Sequence, residues 1–439
     1  MTVAIPSRMP AAAADIAPQR ILPWIAQSVV APAGIGIALA MAAWGNGLTP
    51  ALAMLLPVFW GIAPTRAAAW VLTTAYHLTV IRFIPDFAAT WFGSEKTGFA
   101  IWIAQGMLCG LGWAVAWTAR TGAAATLLSW ALVLALTLLP PLGMILPGHP
   151  LITVGYLMPG MGWAGIALYV AGTAVLLLAL RGHTPRRPGG RAALVQGAVA
   201  LALTAVMLLA ADRPDPEAGR VVGKVGALTT RWGGFPARDS LEVAQRIVKI
   251  GRATRSLAGG EGEITTVVFA ESVLGIYDPS LYLPLEVDVL KDARAAGQTV
   301  VIGADLPIAG GILQKSALVF RADGSSSYVV ARQPVPFAEW APWSGKGTYE
   351  INWLENSVAN IGGGVKARVV FCYEEYIPIL HLISEAREEH SMVLVLANLW
   401  AAGPLADEIQ KAHTEGMARL FRRPWVRAVN FRAAPSDGA

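Results

Sequence analysis

The stretch Val-Val-Phe-Cys-Tyr-Glu-Glu-Tyr-Ile-Pro, residues 369–378, places a cysteine at the end of an apolar run. The run has the β-branched and aromatic composition of a buried strand. Two carboxylates and a tyrosine follow Cys372 at once, and the chain contains only one other cysteine, Cys109. Free cysteine is more often a packing residue than a nucleophile, so this stretch alone favours a structural thiol.

Around this stretch, residues 213–439 alternate between strand-like and helix-like segments. Asp323-Gly324 marks a hairpin turn between two of the strand-like runs. The alternation predicts stacked layers of helices and sheets. Glu271 and Cys372 each follow an apolar strand directly, and such a position gives a catalytic side chain a rigid support.

Residues 21–212 have a different composition. The whole chain is 55% hydrophobic and 14% charged, whereas about a quarter of the residues are charged in a typical soluble protein. About 20 consecutive apolar residues suffice to cross a bilayer as a helix. We predict seven such helices, near residues 21–43, 47–63, 67–85, 98–119, 124–146, 161–180 and 191–211.

The arginines predict the orientation of these helices. The predicted inner segments are rich in arginine, whereas the outer loops carry only Arg82 and Lys96. Such an asymmetry follows the positive-inside rule. It predicts a cytoplasmic segment at 1–20, a membrane domain at 21–212 and an exported domain at 213–439. The net charge of +5 is then a matter of topology, and we expect no nucleic-acid partner. Tryptophans at positions 60, 91 and 102 fit an interfacial belt.

A single cysteine in an exported domain cannot form an internal disulfide. It is left as a free thiol, an intermolecular bridge or a reactive centre. This raises the weight of the nucleophile interpretation for Cys372.

Several short strings together carry a family resemblance. They are Phe-Ala-Glu271-Ser, Pro-Val-Pro-Phe-Ala-Glu339-Trp, Phe-Cys372-Tyr-Glu374, Leu-Ala-Asn398-Leu-Trp400 and the outer segment 149–156. In order and spacing the chain resembles carbon–nitrogen hydrolases, the nitrilase superfamily, and apolipoprotein N-acyltransferase in particular. The string Ala-Arg-Gln-Pro-Val-Pro at 331–336 is similar to a divergent branch, the plasmid-borne conjugal-transfer TraB proteins.

The resemblance implies both fold and location. The expected fold is a polytopic α-helical membrane domain followed by an α/β nitrilase-like αββα sandwich, incomplete at its C-terminal edge. The expected location is the bacterial inner membrane, with the C-terminal domain in the periplasm.

The resemblance also implies the roles of the site residues. Cys372 would be the nucleophile and Glu271 the general base, while Glu339 and Glu374 would orient a cation and the nucleophile's loop. Such groups form a thioester and pass its acyl group to an amine. No metal or other cofactor is expected. The implied partners are membrane phospholipid as acyl donor, an amine-bearing acceptor or lipoprotein, and the conjugation machinery.

The chain departs from the family pattern at the catalytic lysine. That lysine falls on Ala331, and the neighbouring cation is Arg332, which would point to the opposite face of a strand unless a bulge turned it. Arg332 is therefore a weak candidate, and an isolated arginine there is more typical of an ion pair. Lys315 offers a positive charge from another direction. We also expect the family's last strands and final membrane helix to be absent.

Two classes of function remain open. The first is a membrane acyltransferase or amidase that uses Cys372, and the retained carboxylates favour it. The second is a catalytically impaired scaffold that supports conjugation or envelope assembly, and both Ala331 and the expected absence of the final membrane helix favour it. Under the first, an Ala331→Lys substitution is predicted to speed acylation of the cysteine.

Overall fold

The N-terminal part of the protein is helical. The structure, a computed structural model, describes residues 25–45, 49–181, 224–236, 241–258, 264–344 and 348–433. Its N-terminal helices are α1 (Ala26–Trp44), α2 (Pro50–Gly61), α3 (Arg66–Val80), α4 (Ile84–Phe92), α5 (Glu95–Ala116), α6 (Ala123–Leu138), α7 (Thr153–Leu157) and α8 (Gly162–Arg181).

Three of these helices, α1, α5 and α8, are long and apolar enough to cross a membrane. Helices α3 and α4 meet the same criterion only together, and they are bent by 58° relative to each other. Helix α4 begins anew with Pro85 in its first turn, where proline is compatible with a helix start but not with a continuing helix. The segment predicted as one helix at 67–85 is therefore broken.

The other predicted spans differ in how far the structure describes them. Helices α2 and α6 lie on predicted spans but are shorter apolar helices. The predicted seventh span at 191–211, and the linker that follows it, lie outside the described residues.

The C-terminal part contains two five-stranded sheets. The strand order is β1-β3-β4-β5-β6 in the first and β2-β10-β9-β8-β7 in the second. The strands are β1 (Val225–Ala227), β2 (Thr229–Thr230), β3 (Thr266–Val268), β4 (Thr299–Pro307), β5 (Leu313–Phe320), β6 (Ser326–Val330), β7 (Val358–Asn360), β8 (Lys366–Phe371), β9 (Met392–Asn398) and β10 (Trp425–Asn430). The predicted hairpin is the antiparallel pair β5–β6.

The two sheets pack face to face between helices. Val369 and Phe371 of β8 share a core with Val301 of the first sheet, whereas Val370 faces the other side. Helices α9 (Leu241–Ala258) and α10 (282–295) contribute to the core of the first sheet. Helices α11 (Pro378–Arg387) and α12 (Pro404–Leu420) lie beyond the second. The layers run helix, sheet, sheet, helix, as the resemblance implies.

Helix α12 fastens this sandwich to the N-terminal helices. The amide of Gly148 donates a 2.9 Å hydrogen bond to Nε2 of His413. The His413 ring also stacks on Trp44, with centroids 4.8 Å apart. The hydroxyl of Tyr156 donates to the carbonyl of Ala412 at 2.8 Å. The segment 148–156 is therefore a docking surface, and His413 is a packing residue.

Two glycines allow the backbones to meet at this interface. A Cβ atom at Gly155 would lie 1.6 Å from the carbonyl oxygen of Gly416. No side chain larger than hydrogen fits at that separation, so glycine at position 155 sets how closely α7 and α12 approach.

Replacing Gly155 with alanine is expected to destabilise the docked protein. The added methyl group forces α7 and α12 apart, and overpacking of this kind typically costs about 1–3 kcal/mol. Thermal unfolding of the detergent-solubilised protein should show a lower midpoint. Gly172→Ala is the matched control, because no atom lies within 4 Å of its added Cβ. Equal midpoints for the two variants would contradict the proposed role of the close approach.

Candidate active site

A buried lysine surrounded by carboxylates lies at one end of the first sheet. Nζ of Lys315 is 2.9 Å from Oε1 of Glu339 and 3.2 Å from Oε1 of Glu271. It is also 3.7 Å from Oδ1 of Asp305. All four side chains are buried, so this is a cluster of three carboxyl groups around a single ammonium.

The strands bring these side chains together through their register. Lys315 lies directly opposite Asp305 in the antiparallel pair β4–β5. Glu271 follows β3, whose exit passes close to Gly303, where a Cβ atom would lie 2.2 Å from the carbonyl oxygen of Ala270. Glycine at position 303 thus allows the backbone that carries Glu271 to lie against β4.

A serine and two rings complete the surroundings of the ammonium. Lys315 donates to Oγ of Ser272 at 3.1 Å, and Ser272 donates to Oδ1 of Asp305 at 2.6 Å. Nζ also lies 4.8 Å from the ring centre of Phe235 and 4.7 Å from that of Tyr349. Aromatic faces attract cations at such distances, so the two rings add to the contacts that hold the ammonium.

The surroundings raise the pKa of Lys315 and of two of its carboxyl neighbours, Glu271 and Glu339. Burial by itself would lower the pKa of Lys315, but Asp305, Glu271 and Glu339 outweigh it and raise that pKa well above its usual value. Burial raises the pKa of Glu271 to about 8, although Lys315 opposes the shift. Burial likewise raises the pKa of Glu339. The cluster can therefore take up a proton near neutral pH.

Cys372 lies at the start of the 3₁₀ turn Cys372–Tyr376, directly after β8. Its S–H donates to the carbonyl oxygen of Asn398, with sulfur and oxygen 3.7 Å apart. The side chain of Asn398 in turn donates to the backbone oxygen of Glu271 at 2.9 Å. Burial, followed by the charge of Glu271, raises the pKa of the Cys372 thiol well above its usual value. The cysteine at rest is a neutral thiol.

The nucleophile candidate and two of the carboxylates share one cavity. Cys372, Glu271 and Glu339 all line a space of about 50 Å³. Part of its wall comes from the N-terminal helices, through Phe83, Ile84, Phe87, Trp91 and Gln105. The cavity therefore lies at the junction of the two parts of the chain.

Glu374 holds the cysteine's turn in place without lining the cavity. Its carboxylate accepts hydrogen bonds from the backbone amides of Phe371 and Gln333, both at 3.1 Å, and from that of Arg332. It thus joins the end of β8 to the segment after β6. A carboxylate in this position can orient the loop that carries the cysteine, and that role stays a prediction of the resemblance.

The structure corrects the assignment of the cation. The guanidinium of Arg332 donates to Oγ of Ser384 at 2.9 Å and to the carbonyl of Leu380 at 3.2 Å, both on α11. It therefore points away from the cavity, and the positive charge next to the cavity is that of Lys315, which contacts the lining carboxylates of Glu271 and Glu339. The amide of Ala331 donates to the carbonyl of Lys315 at 2.8 Å. The position expected to carry lysine is thus the cross-strand neighbour of the residue that does.

Two of the tryptophans assigned to an interfacial belt have other surroundings. Trp60 is fully buried, and its indole donates to the carbonyl of Trp113 at 2.8 Å. The Trp91 ring lies 5.7 Å from each of the rings of Trp400 and Phe235. All three of these rings line the cavity, so Trp91 belongs to the site.

Gln410 on α12 is a site residue that the sequence did not predict. Its Nε2 group donates to Sγ of Cys372 at 3.6 Å. A lone polar residue in an amphipathic helix is typical of the solvated face, so the sequence offered no signal for this contact.

Replacing Lys315 with methionine is expected to make stability strongly dependent on pH. In the intact cluster the raised pKa of Glu271 means that protonation favours the folded state, and this contribution is lost as the pH rises through about 8. Removing Lys315, which opposes the shift, raises the pKa of Glu271 further. Without the ammonium the buried carboxylates lack a counter-charge, and breaking a buried pair typically costs about 3–5 kcal/mol. The unfolding midpoint of Lys315→Met should therefore fall much further at pH 9 than at pH 5.

Lys366→Met is the matched control for this measurement. Lys366 pairs with Glu389 at 2.8 Å on the exposed surface, where ion pairs contribute little. Its midpoint should stay close to that of the unmodified protein at both pH values. An equal loss at pH 5 and pH 9 in Lys315→Met would contradict the electrostatic description of the cluster.

Comparison with known proteins gives relatives that extend over most of the chain. No family model matches the sequence. The conjugal transfer protein TraB of Agrobacterium fabrum is 28% identical over 423 residues, which cover 90% of this chain and 91% of the relative. A probable conjugal transfer protein TraB of Sinorhizobium fredii is 26% identical, and the matched region covers 88% of this chain and 94% of that relative.

Solved structures similar to the chain cover about half of it. An amidase from Nesterenkonia sp. shares 17% identity, with a TM-score of 0.32. The matched region covers 47% of this chain and 74% of the amidase chain. A carbon–nitrogen hydrolase from Helicobacter pylori shares 12% identity, with a TM-score of 0.31. The matched region covers 47% of this chain and 72% of the hydrolase chain. Over most of its length, the chain is similar to conjugal transfer proteins named TraB, as the sequence predicted.

Proposed function

We propose that the protein is a membrane-bound acyltransferase of the carbon–nitrogen hydrolase type, which acts through a thioester on Cys372 and serves conjugal transfer. One observation carries the proposal. Two carboxylates of the Lys315 cluster, Glu271 and Glu339, line the same cavity as Cys372. The Lys315 ammonium lies next to that cavity, within 3.2 Å of each carboxylate, so a base and a thiol share one space with a cation beside it. Acyl transfer through cysteine requires these three groups. The names of the relatives support the link to conjugation.

In the first half-reaction the thiol of Cys372 attacks an ester carbonyl. Its proton passes to the Glu271 carboxylate, the S–C bond forms, and the Lys315 ammonium stabilises the negative charge on the carbonyl oxygen. The C–O bond then breaks, and the leaving alcohol takes the proton from Glu271. The pKa values of Cys372 and Glu271 are both raised. The thiol therefore loses its proton only as the S–C bond forms.

In the second half-reaction an amine replaces the sulfur. The amine nitrogen attacks the thioester while Glu271 accepts one of its protons. The C–N bond forms, the C–S bond breaks, and the proton returns to the sulfur of Cys372. Glu339 holds Lys315 in position throughout, and Glu374 holds the turn that carries the cysteine.

Membrane phospholipid is the acyl donor that this arrangement favours. The α4 side of the cavity is apolar and aromatic, and α4 continues from α3, which forms part of a candidate span. The cavity of about 50 Å³ is far below the 300–1,000 Å³ of typical ligand sites. Binding of an acyl chain therefore requires the cavity to widen. An open cleft of about 920 Å³ adjoins the cavity at Phe83 and residues 399–402, and gives substrates a way in.

One of the two arguments for the scaffold alternative is weakened. That argument was alanine at position 331, where the family has a lysine, and Lys315 provides an ammonium from the neighbouring strand. For the same reason Ala331→Lys is no longer expected to speed acylation, because it would add a second ammonium beside the first.

Protein purified from membranes is expected to carry a fatty-acyl thioester on Cys372. Intact-mass analysis should show an adduct that hydroxylamine removes and that Cys372→Ser abolishes. Cys109→Ala is the matched control, since Cys109 is a buried cysteine on α5 that donates to the carbonyl of Ile145. It should keep the adduct. Absence of any adduct after incubation with phospholipid vesicles, in protein that still supports plasmid transfer, would favour the scaffold.

The rate of acylation is expected to rise with pH up to about 8. Glu271 can accept the thiol proton only when it is deprotonated, and burial raises its pKa to about 8. Below that pH the rate should fall about tenfold per pH unit. The burst of p-nitrophenol from a short acyl ester measures this step in detergent. Glu271→Gln should abolish the burst, and a profile that is flat from pH 6 to pH 9 would exclude Glu271 as the base.

A further inference from the structure

The sulfur of Cys372 has two hydrogen-bond partners among the described residues, and they favour opposite protonation states. The carbonyl oxygen of Asn398 accepts a hydrogen bond from the S–H group, so it favours the thiol. Nε2 of Gln410, 3.6 Å from the sulfur, donates to it, so it favours the thiolate. Both partners are at the lining of the cavity.

The orientation of the Gln410 amide is fixed by an arginine. Nη2 of Arg427 on β10 donates to Oε1 of Gln410 at 3.0 Å. An amide whose oxygen accepts from a guanidinium must turn its NH₂ group to the other side, and on that side lies Cys372. The contact is therefore a directed N–H···S hydrogen bond.

The arginine itself is held by a buried carboxylate. Arg427 donates to both oxygens of Glu375, through Nη2 at 3.0 Å and Nε at 3.1 Å. Thr414 donates to Glu375 at 2.8 Å, and Asp407 pairs with the other arm of Arg427. Glu375 is fully buried. This chain of contacts leads from the second sheet to the sulfur.

We propose that Gln410 is a further catalytic residue, whose amide stabilises the negative charge that develops on the sulfur of Cys372 as its proton leaves, and that Arg427 and Glu375 are the positioning residues that aim it. The inference rests on the proposed function for its role in acyl transfer. The step itself is simple. The S–H bond breaks, the proton passes to Glu271, the electron pair stays on the sulfur, and Gln410 donates without being changed.

The charges around the sulfur explain why such a donor is needed. The titratable groups that face the sulfur or line its cavity are Glu271 and Glu339 from the first sheet and Tyr373, Glu375 and Tyr376 from the cysteine's own turn. Each of these becomes negative when it ionises. The Lys315 ammonium is already shared among three carboxylates. Among the described residues, Gln410 is thus the donor that contacts the sulfur directly.

The pH dependence of alkylation of Cys372 by iodoacetamide tests the inference, because the reagent reacts with the thiolate. The measurement uses the full-length protein in detergent with Cys109→Ala, so that Cys372 is the sole thiol. Gln410→Met keeps the length of the side chain but removes the donor. Hydrogen bonds to charged groups have a strength that predicts a loss of about ten- to a hundredfold in rate at neutral pH. The midpoint of the profile should move to higher pH.

Two more variants sharpen the test. Gln410→Glu keeps an oxygen for Arg427 but places a carboxylate beside the sulfur, so it should slow alkylation at least as much. Gln298→Met is the matched control, because Gln298 is buried in the same domain and donates to Ile264. It should leave the profile of Cys372 unchanged.

The outcomes separate this inference from the proposed function. If Gln410→Met reacts with the unchanged profile, or faster, the inference is wrong. Should that variant fail to fold, Gln410→Asn decides in the same way, because its shorter side chain cannot reach both Arg427 and the sulfur. If the profile shifts as expected while no acyl adduct forms on the unmodified protein, the role of Gln410 stands and the acyltransferase proposal falls.

Discussion

The ammonium of Lys315 among three buried carboxyl groups is the interaction on which the site depends. Moving a single charge from water into a protein interior is very unfavourable unless partners surround it. Here the partners come from the exit of β3, from β4 and from the segment after β6. The charge therefore fixes three separate stretches of chain relative to one another. Glu271 owes its position beside the cavity to this pairing.

The same cluster explains why the site tolerates a lysine on an unexpected strand. Lys315 and Ala331 are neighbours across the antiparallel ladder of β5 and β6. Across such a ladder, side chains start only about 5 Å apart, which a lysine side chain easily bridges. The ammonium can consequently reach nearly the same point from either strand. What the chemistry requires is a position in space, and two positions far apart in the sequence can provide it.

Features that depend on neighbours along the chain could be predicted from the sequence, whereas contacts between distant segments could not. Glu271 and Cys372 were found because each follows an apolar strand, and strand ends lie at the edge of a layer. The layers themselves followed from the alternation of strands and helices. Lys315 and Arg332 both remained candidates for the cation, because a comparison along the chain cannot measure distance across a ladder. Gln410 and Trp91 were missed because their partners, Cys372 and Trp400, are distant in sequence and come into contact only when α12 and α4 pack.

Burial of Cys372 beside Glu271 gives the site a resting state that suits the proposed exported location. A thiolate is the form that oxidants attack, and an exported domain has no reducing cytosol around it. Burial and the charge of Glu271 raise the pKa of the thiol, so the resting cysteine is protected from oxidation. As a consequence, the neutral thiol is a weak nucleophile until a substrate arrives. A donor such as Gln410 then matters most in the transition state, because it stabilises a charge that is absent at rest, and only such interactions accelerate the chemical step.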